Sequence, residues 1–368
     1  MSDRVETLKS YFQSKIDGQA RRPIITSLNG DGSWLISFPL PSPSPRKSYY
    51  HVVTEAWLNG PATQGTSWFI CIDLPEPPAA KNGADIDAII REIEGAAGSG
   101  GDTVGQEITA DEEKGPWLDA IFVGFHYLDH MHQPTLLTFD KSIPLFATRE
   151  AAGTVRSWGH FETVITTHDF EGSEEESGKD WRDYHPGSPL PPWLSVFRLP
   201  GNAELIFATV IVWSHDSPEH DEGGDGVTRS VRKHEVLLNT PHGVSIGSSS
   251  VQAFFDSTTK TGTPPEEEVE IILLLAATKE SLSLGIRTTL GIAGSLALER
   301  LARPRYWVRS HDSTLRYRGA LLRLIWTYDV QRTLDDGLEE EKKAQGDNVE
   351  KRRPNFVDVG NGRSFVLE

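Results

Sequence analysis

Apolar residues near the start of the chain recur at helical spacing. Val5, Leu8, Phe12 and Ile16 share a face, and Asp3 with Glu6 has the form of a capping box, so a helix is predicted over 2–19. The pattern then shortens to strand-like runs at 34–38, 49–58 and 67–74. Strong breakers separate them: Asn29-Gly30-Asp31-Gly32, a Pro/Ser-rich stretch over 39–45, and Asn59-Gly60-Pro61. A β-meander is the simplest reading of this opening. Helical spacing returns at 85–95, 149–158, 249–256 and 289–300. Apolar strands are predicted at 120–124, 145–148, 194–199, 204–213, 234–239, 271–277 and 306–309. Strands and helices alternate without a glycine-rich phosphate loop, and the pair Gly285 and Gly291 lacks the strand–turn context of one. No internal repeat is present. The 368 residues divide into an N-terminal helix over 1–20, a main domain over 21–330 and a tail over 331–368.

Composition narrows the partners. The chain has 36 Lys and Arg against 53 Asp and Glu, a formal charge of −17. That balance argues against nucleic acid and against electrostatic attachment to anionic lipid. Much of the acid falls in the runs 111–113, 171–180, 219–225, 266–270 and 335–341, which read as solvated loops. Acidic loops are expected near 95–115, 172–190 and 218–227, the second of them placed to form a lid. The longest apolar runs, 205–213 and 271–277, are too short to span a bilayer. Residues 1–23 have no apolar core of a secretory signal, and Cys71 is the one cysteine, so a cytoplasmic protein without disulfides is expected.

Four histidine-bearing segments lie at predicted strand or helix ends. They are Phe125-His126-Tyr127-Leu128-Asp129-His130-Met131-His132, Trp158-Gly159-His160-Phe161, Thr240-Pro241-His242-Gly243 and Ser310-His311-Asp312. Three follow apolar strands directly. Side chains at the ends of neighbouring strands converge on one rim of a sheet, which lets residues distant in sequence hold one metal. Taken singly, each histidine fits a structural place better than a metal ligand, and it is the combination of Asp129-His130 with two later strand-end histidines that points to a metal. His160 fits packing or capping at a helix end, and His168, His215, His220 and His234 lie in polar stretches and read as solvent-facing.

In this order the segments resemble the metallo-β-lactamase fold superfamily, especially its fungal, UlaG-like branch. Ser27-Leu28-Asn29-Gly30-Asp31-Gly32-Ser33-Trp34-Leu35 looks like the first hairpin, and Glu55-Ala56-Trp57-Leu58-Asn59-Gly60 like the DPWLxG segment. Asp129-His130-Met131-His132-Gln133-Pro134-Thr135-Leu136 looks like the DHxHxPTL form of the metal loop. Leu145-Phe146-Ala147-Thr148 with Arg156-Ser157-Trp158-Gly159-His160-Phe161 resembles the strand and helix that follow. Thr240-Pro241-His242-Gly243 stands at the GDTG-type strand end, and Tyr306-Trp307-Val308-Arg309-Ser310-His311-Asp312 resembles the closing strand. The resemblance spans 20–325. It implies an α/β fold, an αββα sandwich of two mixed β-sheets with helices outside and the site on one rim.

Departures from the pattern shape the expected chemistry. The family loop HxHxDH places its first two histidines on Phe125 and Tyr127, with His126 one residue out of phase. The mid-domain strand reads Leu205-Ile206-Phe207-Ala208-Thr209, without a histidine, and His242 replaces the bridging aspartate. A carboxylate bridges two cations through two oxygens, whereas a neutral imidazole offers one lone pair. The resemblance therefore implies one divalent metal held by Asp129, His130, His242 and His311, with His132 as a further ligand or an outer group. Zinc suits that set, and iron or manganese also fit it. Asp129 and Asp312 are the candidate catalytic carboxylates, Asp312 also as an orienting partner of His311. Phe125, Tyr127 and Phe207 would line a substrate pocket suited to a bulky aromatic or polyketide-like molecule. The implied activity is hydrolysis of a lactone, ester or thioester of a small metabolite by metal-bound hydroxide. Two alternatives stay open: a non-hydrolytic metal enzyme (an iron-dependent oxygenase, lyase or cyclase) and a metal-poor protein that binds a metabolite without turnover.

Overall fold

The computed structural model describes residues 3–14, 20–98, 115–171, 180–219, 229–258, 267–345 and 352–368. They form an α/β chain of two compact units, each with a mixed sheet flanked by helices. The first unit comprises Met1–Thr166, Leu315–Ala320 and Val359–Glu368; the second comprises Thr167–Thr314 and Leu321–Asp358.

The first unit is built on seven strands in the order Ser364–Val366, Ile24–Ser27, Trp34–Pro39, Tyr49–Thr54, Ala120–Val123, Leu145–Ala147 and Val164–Thr166. Pairing is antiparallel as far as Tyr49–Thr54 and parallel beyond it. Trp34–Pro39 and Ala120–Val123 are buried at every position, which explains their continuous apolar runs. Helix Gly83–Gly98 places Ile86, Ile89, Ile90, Ile93 and Ala97 on one stripe. With Leu8 and Phe12 of helix Asp3–Ser14, that stripe covers Leu35, Val53, Ile121 and Leu145 of the sheet. The one charge buried with it, Glu94, is fully engaged: it accepts from the backbone N–H groups of Ser48 and Tyr49 and pairs with His51 Nε2 at 2.9 Å. Those bonds fix the helix to the edge of Tyr49–Thr54.

The second unit has six strands in the order Phe356–Val357, Tyr306–Arg309, Glu267–Ala276, Arg229–Thr240, Ile206–Glu219 and Leu194–Ala203. The first four are parallel and the last two antiparallel. One sheet face contributes Val210, Val236, Leu238, Leu274 and Trp307 to a core closed by Val251 and Phe254 of helix Ser249–Thr258 and by Ile292 and Leu296 of helix Gly291–Ala302.

Several expectations change. The strand predicted over 49–58 stops at Thr54, because Glu55 turns out of it with a positive φ. The segment over 331–368 is more than a tail: helix Leu334–Gln345 buries Leu334 in the second core, Phe356–Val357 pairs with Trp307–Val308, and Ser364–Val366 pairs with Ile24–Thr26. Strands of two or three residues carry no period of their own and exist through their partners. The acidic run at 266–270 enters the strand Glu267–Ala276, where Glu267 pairs with Arg182 and Glu270 with Arg305. The run at 335–341 is helical. His234 is buried rather than solvent-facing, with Nδ1 2.8 Å from Ser214 Oγ. Most of the acidic loops expected near 95–115, 172–190 and 218–227 lie outside the described residues. No helix among the described residues is long and apolar enough to cross a membrane.

Candidate metal centre

In the first unit, Tyr49–Thr54 and Ala120–Val123 run parallel with Thr54 opposite Phe122, so the residues that follow leave the sheet at one edge. Glu55 turns there with φ 54°, in the left-handed region that costs a residue with a Cβ about 1–2 kcal/mol. Three bonds hold it. Its N–H donates to Phe122 O at 3.2 Å, its Oε1 accepts the Gly124 N–H at 2.7 Å, and its Oε2 accepts from His130 Nδ1 at 2.8 Å. With the hydrogen on Nδ1, the His130 lone pair lies on Nε2. Asp129 Oδ2 is 3.7 Å from that Nε2. Complete burial lowers the basicity of His130, but Asp129 and Glu55 outweigh it and hold its pKa up at about 9. The site around this ring thus favours positive charge.

The aromatic side chains of Phe125 and Tyr127 differ from each other in their surroundings. Phe125 is buried and meets the His130 ring edge-on at 5.5 Å, whereas Tyr127, 4.4 Å from Phe125, is 42% exposed. His126 packs edge-on against Phe125. His132 turns inward. Pro61 O can only accept, so His132 Nε2 donates to it at 3.3 Å and Nδ1 accepts from Thr135 Oγ1 at 2.8 Å. Both of its ring nitrogens are spent on protein partners. His160 donates through Nε2 to Phe139 O at 2.9 Å.

In the second unit, Arg229–Thr240, Glu267–Ala276 and Tyr306–Arg309 are parallel, with Thr240, Ala276 and Arg309 in register. His242 and His311 follow the two outer strands and meet edge-on, ring centroids 4.8 Å apart. Thr289 Oγ1 lies 2.9 Å from His242 Nδ1 and orients that ring. Gly243, at φ 87°, closes the turn where a Cβ would stand 3.0 Å from Leu290 Cβ. His311 is held at φ 55°, and the reason is its neighbour. Asp312 accepts from the backbone N–H groups of Thr278 and Lys279 and from Thr278 Oγ1, which clamps the His311 loop to the end of the central strand. Burial pushes the Asp312 pKa up against those bonds. Phe207 is buried in Ile206–Glu219, its ring 5.8 Å from the Arg198 guanidinium.

His130 of the first unit, and His242 and His311 of the second, are each buried, and each offers an imidazole nitrogen able to ligate a metal ion. No family model and no curated protein matches the chain. Among solved structures it is similar to an isothiocyanate hydrolase from Delia radicum gut bacteria, at 10% identity and a TM-score of 0.48, over 94% of this chain and 99% of that one. It is also similar to a possible metal-dependent hydrolase from Veillonella parvula, at 10% identity and a TM-score of 0.43, over 95% and 100% of the two chains. A third is the metallo-β-lactamase fold protein YhfI from Bacillus subtilis, at 8% identity and a TM-score of 0.38, over 94% and 100%.

Sequence reasoning does not single out Glu55 or Thr289. The available signal for Glu55 is a lone acidic residue between an apolar strand and Trp57; Thr289 carries none.

Two buried histidines besides His130, His242 and His311 set an acid limit on stability. Burial pushes both His132 and His234 from the ordinary 6.5 down to about 4. Both are neutral in the fold, and between pH 6.5 and 4 the unfolded chain binds the extra protons. Stability therefore falls as pH falls through that window, by up to ~1.4 kcal/mol per pH unit for each group. Urea midpoints measured from pH 7 to 4.5 should drop, and less steeply in His234→Asn. An unchanged slope in that variant would remove His234 from the account.

Proposed function

We propose that the chain is a mononuclear metal-dependent hydrolase of the metallo-β-lactamase fold, acting on a lactone, ester or thioester of a small organic molecule. In this reading His130, His242 and His311, with Asp129, hold one divalent cation, zinc foremost. The observation that carries it is the Glu55–His130 pair. A glutamate kept in a strained backbone conformation, buried, and bonded to the Nδ1 of a buried histidine is the arrangement that orients a ligating imidazole. The donor set supports it: three imidazole nitrogens, His130 giving up its Nε2 proton when a cation binds, and a carboxylate oxygen suit zinc, and the acidic surroundings of His130 suit a cation.

A cation bound there would supply Lewis acidity and make water a competent nucleophile near neutral pH. The chain's own residues set the conditions. Glu55 keeps the His130 lone pair on Nε2, Asp312 fixes the loop of His311, and Thr289 orients His242. Phe125 shields one edge of His130 from water. Asp129 is then the carboxylate nearest the reacting centre and the first candidate to accept a proton, and Asp312 acts by position.

Phe125 and Tyr127 favour the second reading, a metabolite binder without metal, because they stand where histidines are expected. Elemental analysis of purified wild type, His130→Ala and His311→Ala decides between them. The hydrolase reading expects about one metal per wild-type chain, loss of it in both variants, and parallel loss of hydrolysis of p-nitrophenyl acetate and γ-butyrolactone. Stoichiometric iron with Fe(II)-dependent dioxygen uptake would redirect the chemistry to oxygenation. A wild type without metal overturns the proposal.

A further inference from the structure

The second unit carries a small three-stranded sheet in the order Ile286–Thr289, Glu280–Ser283 and Tyr328–Val330, antiparallel throughout. Among the described residues five large apolar side chains are 67% exposed or more, and four of them stand at the turn end of this sheet: Leu284, Ile286, Leu324 and Trp326. Leu284 and Gly285 form the two-residue hairpin loop, and both have positive φ, 52° and 75°. That is the type I′ pattern, which favours asparagine or glycine at its first position and strains leucine. Trp326, in the neighbouring turn, is held at φ 48°. The Leu284 N–H donates to Ile325 O at 2.7 Å, so the two turns lie side by side. Tyr328 follows, half-exposed, its ring 6.4 Å from that of Trp326.

The acids of the sheet are withdrawn from that end. Glu280 pairs with Arg287 at 3.0 Å and with Arg332, and Asp329 accepts from Ser281 Oγ at 2.7 Å and pairs with Lys279. Arg332 also holds Glu340 of helix Leu334–Gln345, two residues beyond Val330 and away from the turns. The exposed charges of these elements near the turns are Arg287 and Arg323. In a chain of charge −17, this end is apolar with a cationic rim. Patches of that size mark a docking surface. We propose that the paired turns dock on a lipid surface, with Leu284, Ile286, Leu324 and Trp326 entering the acyl boundary and Arg287 and Arg323 meeting headgroup phosphates. Apolar side chains on a convex turn enter a fluid surface without a matching pocket, and tryptophan and tyrosine beside leucine suit the headgroup boundary. A two-fold contact with a second copy would instead bring the arginines of both rims together. The charge of −17 opposes an anionic membrane, so insertion is apolar first and zwitterionic lipid suffices. Such attachment needs no membrane-spanning helix.

Flotation of the full chain with phosphatidylcholine vesicles, at low and at high salt, tests this. Wild type should rise with the vesicles in both, because apolar insertion is not screened. Leu284→Asn and Leu324→Ser should each lower the partition coefficient by about tenfold. Leu284→Asn combined with Trp326→Ser should stay in the soluble fraction. Leu284→Asn should melt at or above the wild-type temperature, since asparagine suits the turn, so its lost binding reports the side chain and not the fold. Leu324→Ser leaves both left-handed positions untouched and carries the test if Leu284→Asn melts lower. Sedimentation of the same samples without lipid gives the oligomeric state. A wild type that stays soluble overturns the proposal, and so do variants that float as well as wild type. Flotation lost at high salt shows adhesion by charge alone and overturns apolar insertion. A wild-type dimer that Leu284→Asn converts to monomers assigns the face to a second copy and overturns the lipid surface.

Discussion

Glu55→Ala and Glu55→Gly are both expected to weaken zinc binding by about 10–100-fold, the usual effect of removing a carboxylate behind a ligating histidine. Their stabilities should differ. Glu55 has φ 54°, a conformation that alanine adopts with strain and glycine adopts freely. Glu55→Gly should therefore be the more stable of the two by about 1 kcal/mol. Both variants lose the bonds to Gly124 N–H and His130 Nδ1, so any difference between them reports the backbone alone. Glu55→Gln keeps a carbonyl acceptor without the charge and should bind zinc with intermediate affinity. Zinc titration calorimetry and urea denaturation, run on the same preparations, give the two readouts. Zinc affinity unchanged in both variants would reduce Glu55 to a packing residue and remove the main support for the proposed centre.

Trp307→Ala should destabilise the second unit by about 3–5 kcal/mol, the range for deleting a buried tryptophan. Trp307 is 1% exposed, meets Phe356 edge-on at 5.1 Å, and donates through Nε1 to Ala276 O at 3.2 Å. Its strand ends two residues before His311. The substitution therefore opens a cavity below the loop that carries a candidate ligand, and metal affinity should fall together with stability. Trp307→Phe keeps most of the volume and loses the Nε1 bond, so it should cost much less. A Trp307→Ala loss under about 1 kcal/mol would mean that the surrounding helices close over the cavity.

The contrast between these two positions shows what could be read before the fold was in hand. Trp307 was legible: a large aromatic in the apolar run 306–309 belongs in a core, and hydrophobicity needs no partner to be recognised. Glu55 was not, because a glutamate after a strand is ordinary until the parallel neighbour Ala120–Val123 delivers Gly124 and His130 to it. His132 shows the reverse. Its spacing beside Asp129 and His130 suggests a ligand, yet Thr135 and the Pro61 carbonyl take both of its nitrogens. Asp312 likewise reads as an acid beside a histidine, and only the bonds to Thr278 and Lys279 reveal what its oxygens do.

By itself the sequence determined the alternation of strands and helices, the apolar segments that fill the cores, and the strand-end histidines, since each depends on local period and hydrophobicity; the division of 21–330 into two units was not legible. The charge of −17 likewise argued against general affinity for nucleic acid. Tertiary structure alone decided which carboxylate supports which imidazole, where the backbone is strained to achieve it, and which large apolar side chains stay exposed. It also decided that the final residues supply strands to both sheets. Hydrogen bonds between residues tens of positions apart carry no period, so the chain must fold before they can be seen.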